Sequence, residues 1–467
     1  MSLKKRAVQL CLLAVFGLML GGIWKADTDT SDQLLRFAFT MHSDHDSIVR
    51  AYYAEGEEPV FSEQRSSAAA CKADAEETLK FDIPANSSVI RVVVSDQPAD
   101  VKLSDFSLAF HDTLFDMSGY SFSAPEDTEH VERMETENQQ LHVVTGQHEG
   151  TLVYRMDPVL QADTVKKALA PFTAALKWFG TAVVLLIAVI SFRKFNALIE
   201  IPCEVIANRK LVLTLARNDF RTRYSGSVLG TVWAFIPPVV TVLLYWFVFE
   251  KALHAGSQAA RSGISVPFVF WLIAGLVPWF YFQEVMVTAS NALLEYNYLV
   301  KKVVFHISIL PMVKVVSSVF VHLFFVAAAI VVGCIFGFYP GWHTLQLLYY
   351  FLCMAAFVTG FSYFSSAIVV FFRDFTHLIS IVMQVLVWVT PIMWNIDSGA
   401  FPPILVRILK LNPVFYIVNG YRDALITRRW FFEMPGLTVY FWTVVFLTCG
   451  FGFLIFRRLR PHFADIL

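Results

Sequence analysis

The sequence has 467 residues, of which 56% are hydrophobic and only 16% are charged, and its formal net charge is −1. Globular domains are typically about 45–50% apolar and about 25% charged, so this composition excludes an ordinary soluble protein and favours a membrane protein. The six cysteines form no C-x-x-C pair, which argues against a zinc or disulfide framework. We expect no metal, no cofactor and no nucleic-acid partner for this chain.

Eight apolar runs are long enough to cross a bilayer, which takes about 20 residues. They cover residues 7–24, 172–192, 231–250, 267–290, 309–337, 345–372, 377–394 and 437–456. The first run follows Lys4, Lys5 and Arg6, as in a signal peptide, but the sequence GGIWKADTD at its end is a poor cleavage site. We therefore predict an uncleaved transmembrane anchor at residues 1–24.

Residues 25–170, between the first two runs, have a strand-like pattern. Short stretches rich in Val, Ile and aromatic residues predict an all-β sandwich; they are LLRFAFT, SIVRAYYA, TLKFDI, SVIRVVVS, FSLAF and TLVYRM. The acidic stretch 124–140 predicts an exposed loop or short helix. DTDTSD and HSDHD lack the glycine and distal glutamate of a calcium loop, so solvated turns are favoured there. Carbohydrate binding and a role as spacer or dimer contact both stay open for this domain.

The distribution of Lys and Arg predicts the orientation, because short cytoplasmic loops carry an excess of them. With eight spans, most basic segments fall on one side of the membrane: 4–6, 193–223, 301–302, Arg373 and 457–460. We take that side of the inner (plasma) membrane as cytoplasmic. Both termini are then cytoplasmic, residues 25–170 are extracytoplasmic, and residues 171–194 form the second transmembrane helix.

Segment 395–435 conflicts with this orientation, because it is placed outside yet carries five Lys and Arg residues. Its apolar set is too short to span, and it contains prolines at 402, 403, 413 and 435. This pattern fits a re-entrant helical hairpin at the outer side, with the basic side chains near the lipid headgroups.

Residues 203–223 predict an amphipathic helix on the membrane surface. At 100° per residue, Val212, Ala216 and Phe220 share an apolar face, while Arg217 and Arg221 lie on its flank. The alternative is that these arginines only fix the topology. The small residues that follow lead directly into the next apolar run, as in a chain that lies on a membrane and then enters it.

Five ordered motifs in residues 199–467 resemble one family, the ABC-2 permeases of polysaccharide ABC exporters, which move O-antigen, capsule or teichoic acid. The motifs are RNDFRTRYSGSVLGTVWAFIPPVV, YLVKKVVFHISILPMVKVVSS, VVVFFRDFTHLISIVMQVLVWVTPIMW, LKLNPVFYIVNGYRDALI and FRRLRPHFADIL. His306 departs from the family at a position where an F-P-R-like sequence is common. The resemblance implies a six-span core at 195–467, to which the anchor and the β domain are additions.

The resemblance also assigns segments of the core. It implies an interface helix at 203–223, a coupling loop at 295–306 that receives motion from an ATPase, and an outer gate hairpin at 396–420. The ATPase-coupling residues expected on this basis are Arg217, Asp219, Arg221, Tyr224, Glu295, Tyr298, Lys301 and Lys302. For Lys301 and Lys302, a pure topology signal is the alternative.

Aromatic side chains are expected along the path of a glycan, because sugar rings stack on them through apolar C–H faces. The family assigns the first and fifth core spans to this path, with the candidates Tyr245, Trp246, Phe249, Trp388 and Trp394. An interfacial aromatic belt is the alternative. The candidate residues of the outer gate are Phe401, Arg407, Asn412, Pro413, Tyr416 and Arg422.

The function implied is that of the membrane subunit of an ATP-driven exporter of a lipid-linked polysaccharide. No glycine in the chain is followed by lysine, so it lacks a G-x-x-x-x-G-K-[ST] loop, and ATP with Mg is expected on two copies of a separate ATPase subunit. The permease itself is expected to be a homodimer surrounded by membrane lipids and to be no enzyme. The main alternative is an ABC-2 exporter of a small lipid or drug; an anchored β-domain receptor and a membrane glycosyltransferase fit less of the chain.

Glu284 lies within an apolar run, where an ionisable residue points to function. A structural pairing with Lys314 inside the helix bundle is the alternative.

Overall fold

The protein is described by a computed structural model at residues 3–27, 30, 33–54, 61, 66–110, 113–115, 125–137, 140–146, 148–223, 226, 228–253, 258–259, 265–300, 306–396 and 403–467. The chain divides into two compact units. One is helical and comprises Met1–Ala26, Lys177–Ile396 and Val406–Leu467; the other comprises Asp27–Leu176 and Asp397–Leu405 and contains the β domain.

The β domain consists of two antiparallel sheets, as the pattern of short strands predicts. Within its described residues the strands are β1 (Leu34–Ser43), β2 (Ser47–Ala54), β3 (Ser66–Cys71), β4 (Glu76–Pro84), β5 (Val89–Ser95), β6 (Asp100–Phe110), β7 (Thr113–Leu114), β8 (Asp127–Glu129), β9 (Val131–Glu137), β10 (Gln140–Thr145) and β11 (Gly150–Arg155). The first sheet has the order β4-β1-β6-β10-β9, with β7 paired to β6, and the second has the order β3-β2-β5-β11-β8.

The strands form where apolar residues alternate with polar ones, because successive side chains of a strand point to opposite faces. In β4, Leu79, Phe81 and Ile83 are buried, whereas Lys80 and Asp82 between them are exposed. The inner faces of both sheets share one hydrophobic core, which confirms the predicted β-sandwich. Val165, from the helix after β11, is fully buried in the same core.

The acidic stretch 124–140 is not the loop or helix expected from its composition. It forms β8 and β9, which lie at the outer edge of the second and the first sheet, respectively. Edge strands tolerate charged side chains well, because only one of their sides is paired and both faces can meet water. Backbone pairing with β11 and β10 therefore decides the structure here, and hydrophobic alternation does not reveal it.

The remaining elements are mostly helices. They are α1 (Leu3–Lys25), α2 (Pro158–Arg193), α3 (Phe195–Ala207), α4 (Arg209–Arg223), α5 (Ile236–Trp246), α6 (Phe268–Ser290), α7 (Ala292–Glu295), α8 (Asn297–Val300), α9 (Ile309–Ser317), α10 (Val319–Ile335), α11 (Gln346–Phe371), α12 (Phe375–Val389), α13 (Pro403–Lys410), α14 (Pro413–Arg422), α15 (Pro435–Leu459) and α16 (Phe463–Ile466). A small hairpin, β12 (Gln258–Ala259) and β13 (Ser265–Val266), precedes α6.

Within the described residues, seven helical stretches are long and apolar enough to cross a membrane. The expected span at 377–394 is instead α12, a helix of 15 residues. At 1.5 Å per residue, α12 is about 22 Å long, which is less than the roughly 30 Å of a hydrocarbon core. It ends before Pro391, because the residue that precedes a proline disfavours the helical conformation.

The predicted interface helix at 203–223 is two helices rather than one. α3 ends at Ala207 and α4 begins at Arg209, and the side-chain amide of Asn208 at the break donates to the carbonyl of Glu204 at 2.8 Å. Asparagine often ends helices, since its side chain satisfies a terminal carbonyl. The apolar face of α4 agrees with the helical pattern, because Val212 and Ala216 are buried.

Helices α11 and α15 cross with their backbones in contact at Gly360 and Gly452. A Cβ atom on Gly360 would lie 2.6 Å from the backbone nitrogen of Cys449, and one on Gly452 would overlap the carbonyl oxygen of Gly360. Small residues at helix crossings in membranes permit this close approach and the dispersion contacts that come with it.

Candidate functional site

A group of charged side chains joins α4 to three other helices of the core. We name it the Asp219 cluster, and its members are Asp219 and Arg223 on α4, Glu284 on α6, Glu295 on α7, Lys314 and Ser317 on α9, and Tyr296. Three carboxylates thus meet two cations where α4 packs against the span that begins with α9.

Asp219 is the centre of this cluster and is only 7% exposed. Its carboxylate accepts hydrogen bonds from Lys314 at 2.6 Å, Tyr296 at 2.8 Å and Ser317 at 2.8 Å, and from Arg223 at 3.0 Å. Burial by itself raises the pKa of Asp219, but the Lys314 ammonium and the hydrogen bonds outweigh it, so the pKa lies below its usual value. Asp219 is therefore a buried, ionised anchor point.

Each cation of the cluster bridges two carboxylates. Arg223 binds Asp219, one turn earlier on α4, and also Glu284 on α6. Lys314 is 3% exposed and binds Glu295 at 2.5 Å in addition to Asp219. Because buried charges are costly unless they are paired, α4, α6, α7 and α9 cannot separate here without exposing or orphaning a charge.

The cluster contains part of the coupling set expected from the sequence. Asp219 and Glu295 come together through Lys314, whereas Arg217 and Arg221 are exposed on α4 and Tyr298 is 56% exposed on α8. Tyr224, Lys301 and Lys302 lie outside the described residues. A coupling role therefore stays a prediction for all eight residues.

The suggested pairing of Glu284 with Lys314 is wrong. Glu284 binds Arg223, and Lys314 binds Asp219 and Glu295. Sequence reasoning considered Lys314 only as a partner of Glu284, and it missed Arg223, Tyr296 and Ser317. The sequence did contain one signal for this cluster: Lys314 lies in the middle of an apolar span, and a lysine at such a position needs a buried anion nearby.

A second set of ion pairs lies on α3, next to the Asp219 cluster in sequence. Glu200 binds Arg457 at 2.8 Å, and Glu204 binds Arg460 at 3.1 Å, near the end of α15. Glu204 also accepts a hydrogen bond from Ser308. Burial opposes the ionised form of Glu204, but Ser308 and Arg460 outweigh it and lower its pKa. The segment before α4 is thus fixed to the C-terminal end of the core.

The short helices α13 and α14 occupy the segment for which a re-entrant hairpin is expected. Asn412 precedes α14 and caps it, because its side-chain oxygen accepts from the backbone N–H of Val414 at 3.0 Å. Pro413 takes the first helical position, where its missing N–H does no harm. The amide of Asn412 also donates to Thr390 at 2.8 Å, which attaches α14 to the chain just after α12.

Arg422 lies at the end of α14 and is only 3% exposed, so its side chain is enclosed by protein. Its expected depth near the headgroups stays a prediction. Its guanidinium donates to the carbonyls of Pro391 at 2.7 Å and Ile392 at 2.6 Å, and it stacks 3.8 Å from the ring of Trp271 on α6. We name this arrangement the Arg422 clamp. It satisfies carbonyl groups that the end of α12 leaves without helical partners, which accounts for a buried arginine among apolar helices.

The other expected gate residues have different surroundings. The Tyr416 hydroxyl is hydrogen-bonded to Tyr349 at 3.1 Å and to Thr438 at 3.0 Å, so it joins α14 to α11 and α15. Arg407 is exposed on α13. Phe401 lies outside the described residues.

Replacing Arg422 with lysine is expected to lower the stability of the core by about 2 kcal/mol, because an ammonium cannot bind two carbonyls in fork geometry or stack as a plane on Trp271. The measurement is thermal unfolding in detergent, followed by size-exclusion chromatography. Arg428→Lys, at an exposed position six residues further on, is the control and should leave the melting temperature unchanged. Equal melting temperatures for both variants would contradict the clamp.

All five expected channel aromatics contact one another or a neighbouring cation. Tyr245 on α5 lies 6.2 Å from the ring of Trp388 on α12 and 6.5 Å from that of Phe249. Lys251 lies 5.5 Å from the ring of Trp246. The indole of Trp394 donates to the Trp388 carbonyl at 3.1 Å.

The aromatic pair of α5 and α12 lies at the surface of the described chain. Trp388 is 55% exposed, Tyr245 is half-buried, and none of the residues of α5 is buried. α5 packs on the core through part of its surface only, and the exposed remainder of an apolar helix must face lipid or another chain. The pair therefore offers an aromatic surface at a boundary of the subunit.

Comparison with known proteins places these elements in one family domain. Residues 210–426, which include the Asp219 cluster and the Arg422 clamp, match the ABC-2 type transporter family. An O-antigen export system permease protein RfbA from Myxococcus xanthus is 25% identical over 269 residues, which are 57% of this chain and 99% of that protein. A protein of the same description from Klebsiella pneumoniae is 25% identical over 265 residues, or 55% of this chain and 95% of its own length. The resemblance to ABC-2 permeases of polysaccharide exporters is confirmed.

Proposed function

We propose that this chain, which carries an ABC-2 type transporter domain, is the membrane subunit of an ATP-driven exporter that moves a lipid-linked polysaccharide outward across the inner membrane. The observation that carries the proposal is the Asp219 cluster, because it joins a surface helix to buried helices of that domain through paired charges. The polysaccharide substrate is inferred from relatives described as O-antigen export permeases.

ATP is proposed to act through two copies of a separate ATPase subunit. The exposed residues Arg217 and Arg221 are available to such a partner, and the buried Asp219 on the same helix is anchored to α9. A force that the ATPase applies to the exposed face of α4 would therefore be transmitted directly to the membrane-spanning helices. The exposed and the buried residues of α4 together support coupling through this helix, and we propose Glu295 and Tyr298 as further contacts with the ATPase.

A homodimer is proposed because a polar glycan needs a path that is closed against lipid. The uncovered face of α5, next to Trp388 of α12, is the surface we assign to this contact and to the glycan path. Both chain termini are proposed to be cytoplasmic and the β domain extracytoplasmic, where it would act on the glycan at the exit or serve as a spacer.

The aromatic pair is expected to matter for every sugar unit that passes. Tyr245→Ala combined with Trp388→Ala removes two stacking surfaces, each worth on the order of 1 kcal/mol, so export should slow about fivefold or more for all glycan lengths. Surface polysaccharide, sized on gels at fixed times after induction in a strain lacking this chain, is the measurement. Trp342→Ala is the control: it removes an indole that is 79% exposed elsewhere on the helical unit, and this variant should export normally. Normal export by the double variant would remove these residues from the path.

The proposed function is tested by deleting the gene for this chain and examining the cell surface. Surface polysaccharide should disappear, and lipid-linked polysaccharide should accumulate on the cytoplasmic face of the inner membrane. In the parent strain, the chain should co-purify with an ATPase in a complex of two plus two subunits. Loss of a small lipid at the surface with polysaccharide intact would favour the lipid or drug exporter instead.

A further inference from the structure

The span Ile309–Ile335 is interrupted in its interior. α9 ends at Ser317 and α10 begins at Val319, so Ser318 belongs to neither helix. In a continuous α-helix, the carbonyl of residue 315 would accept from the N–H of residue 319. Here the Tyr281 hydroxyl of α6 donates to the Val315 carbonyl at 3.2 Å, so a side chain from another helix completes the break. A side chain can insert into the helical hydrogen-bond ladder at such a position.

The two halves of the broken span have different polar attachments. On the α9 side, Lys314 and Ser317 bind Asp219. On the α10 side, His322 is 3% exposed, and its Nε2 atom is hydrogen-bonded to the Tyr421 hydroxyl of α14 at 2.9 Å. One half is thus fixed to the Asp219 cluster and the other to the helix that carries the Arg422 clamp.

Tyr281 and His322 also contact each other across the break. Their ring centroids are 5.0 Å apart, and the His322 ring stacks on Phe351 of α11 at 5.2 Å. Tyr281 lies three residues before Glu284, which binds Arg223 of the cluster. Tyr421 is the residue before Arg422. The contacts therefore run from Asp219 to Lys314, then through the carbonyl of the adjacent Val315 to Tyr281, and on through His322 to Tyr421.

We propose that Tyr281 and His322 are positioning residues for transport, which hold the two halves of the broken span so that movement at the Asp219 cluster changes the position of α14. This inference rests on the proposed function, since it requires ATP-driven movement of α4. An ionisable side chain in the interior of a span is costly to keep, and packing alone would be served as well by phenylalanine. The Tyr281 hydroxyl binds the α9 half, the His322 imidazole of the α10 half binds Tyr421 of α14, and the two rings contact each other between these hydrogen bonds.

The proposal is tested on the permease–ATPase complex in proteoliposomes that contain lipid-linked polysaccharide. The six native cysteines are replaced by serine, and Leu411→Cys, at a position 57% exposed just before α14, reports on this region. The readouts are the rate of ATP hydrolysis, the amount of polysaccharide exported, and the rate at which a membrane-impermeant maleimide labels the cysteine with and without ATP. The variants are Tyr281→Phe, His322→Phe and His322→Gln.

We expect Tyr281→Phe and His322→Phe to hydrolyse ATP within about twofold of the parent rate while losing most of the ATP-dependent change in labelling and at least fivefold in polysaccharide exported per ATP. His322→Gln should restore both, because its amide nitrogen can replace Nε2 as the partner of Tyr421. Tyr363→Phe is the matched control: Tyr363 is buried and donates to the Ser308 carbonyl at 2.7 Å, away from the proposed route. It should behave like the parent.

The inference is overturned if Tyr281→Phe and His322→Phe retain the parent's labelling change and export per ATP, or if Tyr363→Phe loses as much as they do. Failure of His322→Gln to restore either quantity overturns the hydrogen bond to Tyr421 as the link. A parent complex that exports polysaccharide without any labelling change overturns the movement of α14 but leaves the proposed function intact. A parent complex with neither ATP hydrolysis nor export contradicts the proposed function, and the inference fails with it.

Discussion

Replacing Gly452 with valine is expected to prevent the helical core from folding. The added side chain would overlap the Gly360 carbonyl oxygen, and the atoms in its way belong to the backbone of α11, which cannot rotate aside. Overpacking in a core typically costs about 1–3 kcal/mol even where side chains can adjust. We therefore expect a loss of about 3 kcal/mol or more, with aggregation on extraction from the membrane.

The measurement is the monodisperse yield after detergent extraction of the chain fused to a fluorescent protein. Gly21→Val is the matched control, since a Cβ atom at Gly21 of α1 meets no atom of the described residues within 4 Å. It should be extracted normally. A Gly452→Val variant that elutes like the parent, with the same melting temperature, would contradict the backbone contact between α11 and α15.

Replacing Asp219 with alanine is expected to abolish export. Lys314 and Arg223 would each lose a partner while they remain buried or half-buried, and the removal of one member of a buried ion pair typically costs about 3–5 kcal/mol. Asp219→Asn keeps the shape of the side chain but removes its charge, so it should retain more stability and still export at least tenfold less than the parent. Surface polysaccharide and melting temperature are the two measurements.

Substitutions at the two residues before Asp219 on α4 distinguish an effect on stability from an effect on coupling. Asn218→Ala, at an exposed position, should change neither export nor melting temperature. Arg217→Ala should leave stability within about 0.5 kcal/mol of the parent, as exposed substitutions usually do, but reduce ATP-driven export if this residue meets the ATPase. Normal export by Asp219→Asn would contradict the role assigned to the Asp219 cluster.

The sequence was most informative where burial has a regular period. Strands such as β4 alternate between buried and exposed residues, and α4 buries Val212 and Ala216 on one face, so both elements could be predicted. The edge strands β8 and β9 could not, because they are stabilised by pairing with β11 and β10, and their own composition is acidic. Strand pairing is a long-range property that no local pattern contains.

The candidate site was predictable in its elements but not in its contacts. Family motifs indicate α4 and the loop 295–306 as coupling elements, yet the choice of Arg223 over Lys314 as the partner of Glu284 depends on how α4 packs against α6 and α9. Arg422 illustrates the same limit. Its charge suggests a surface position, whereas α12 ends early, at Val389, and leaves the carbonyls of Pro391 and Ile392 as acceptors for a buried guanidinium.

ATP-dependent movement of polysaccharide by the purified complex tests the central claim most directly. The chain and its ATPase are reconstituted in proteoliposomes with lipid-linked polysaccharide on the side that carries the ATPase, and glycan reaching the opposite side is measured with a glycosidase enclosed there. The account predicts movement with ATP, none with a non-hydrolysable analogue, and at least tenfold less with Asp219→Asn. Movement that is independent of ATP, or ATP hydrolysis that moves no polysaccharide in a complex containing the unsubstituted chain, would contradict it.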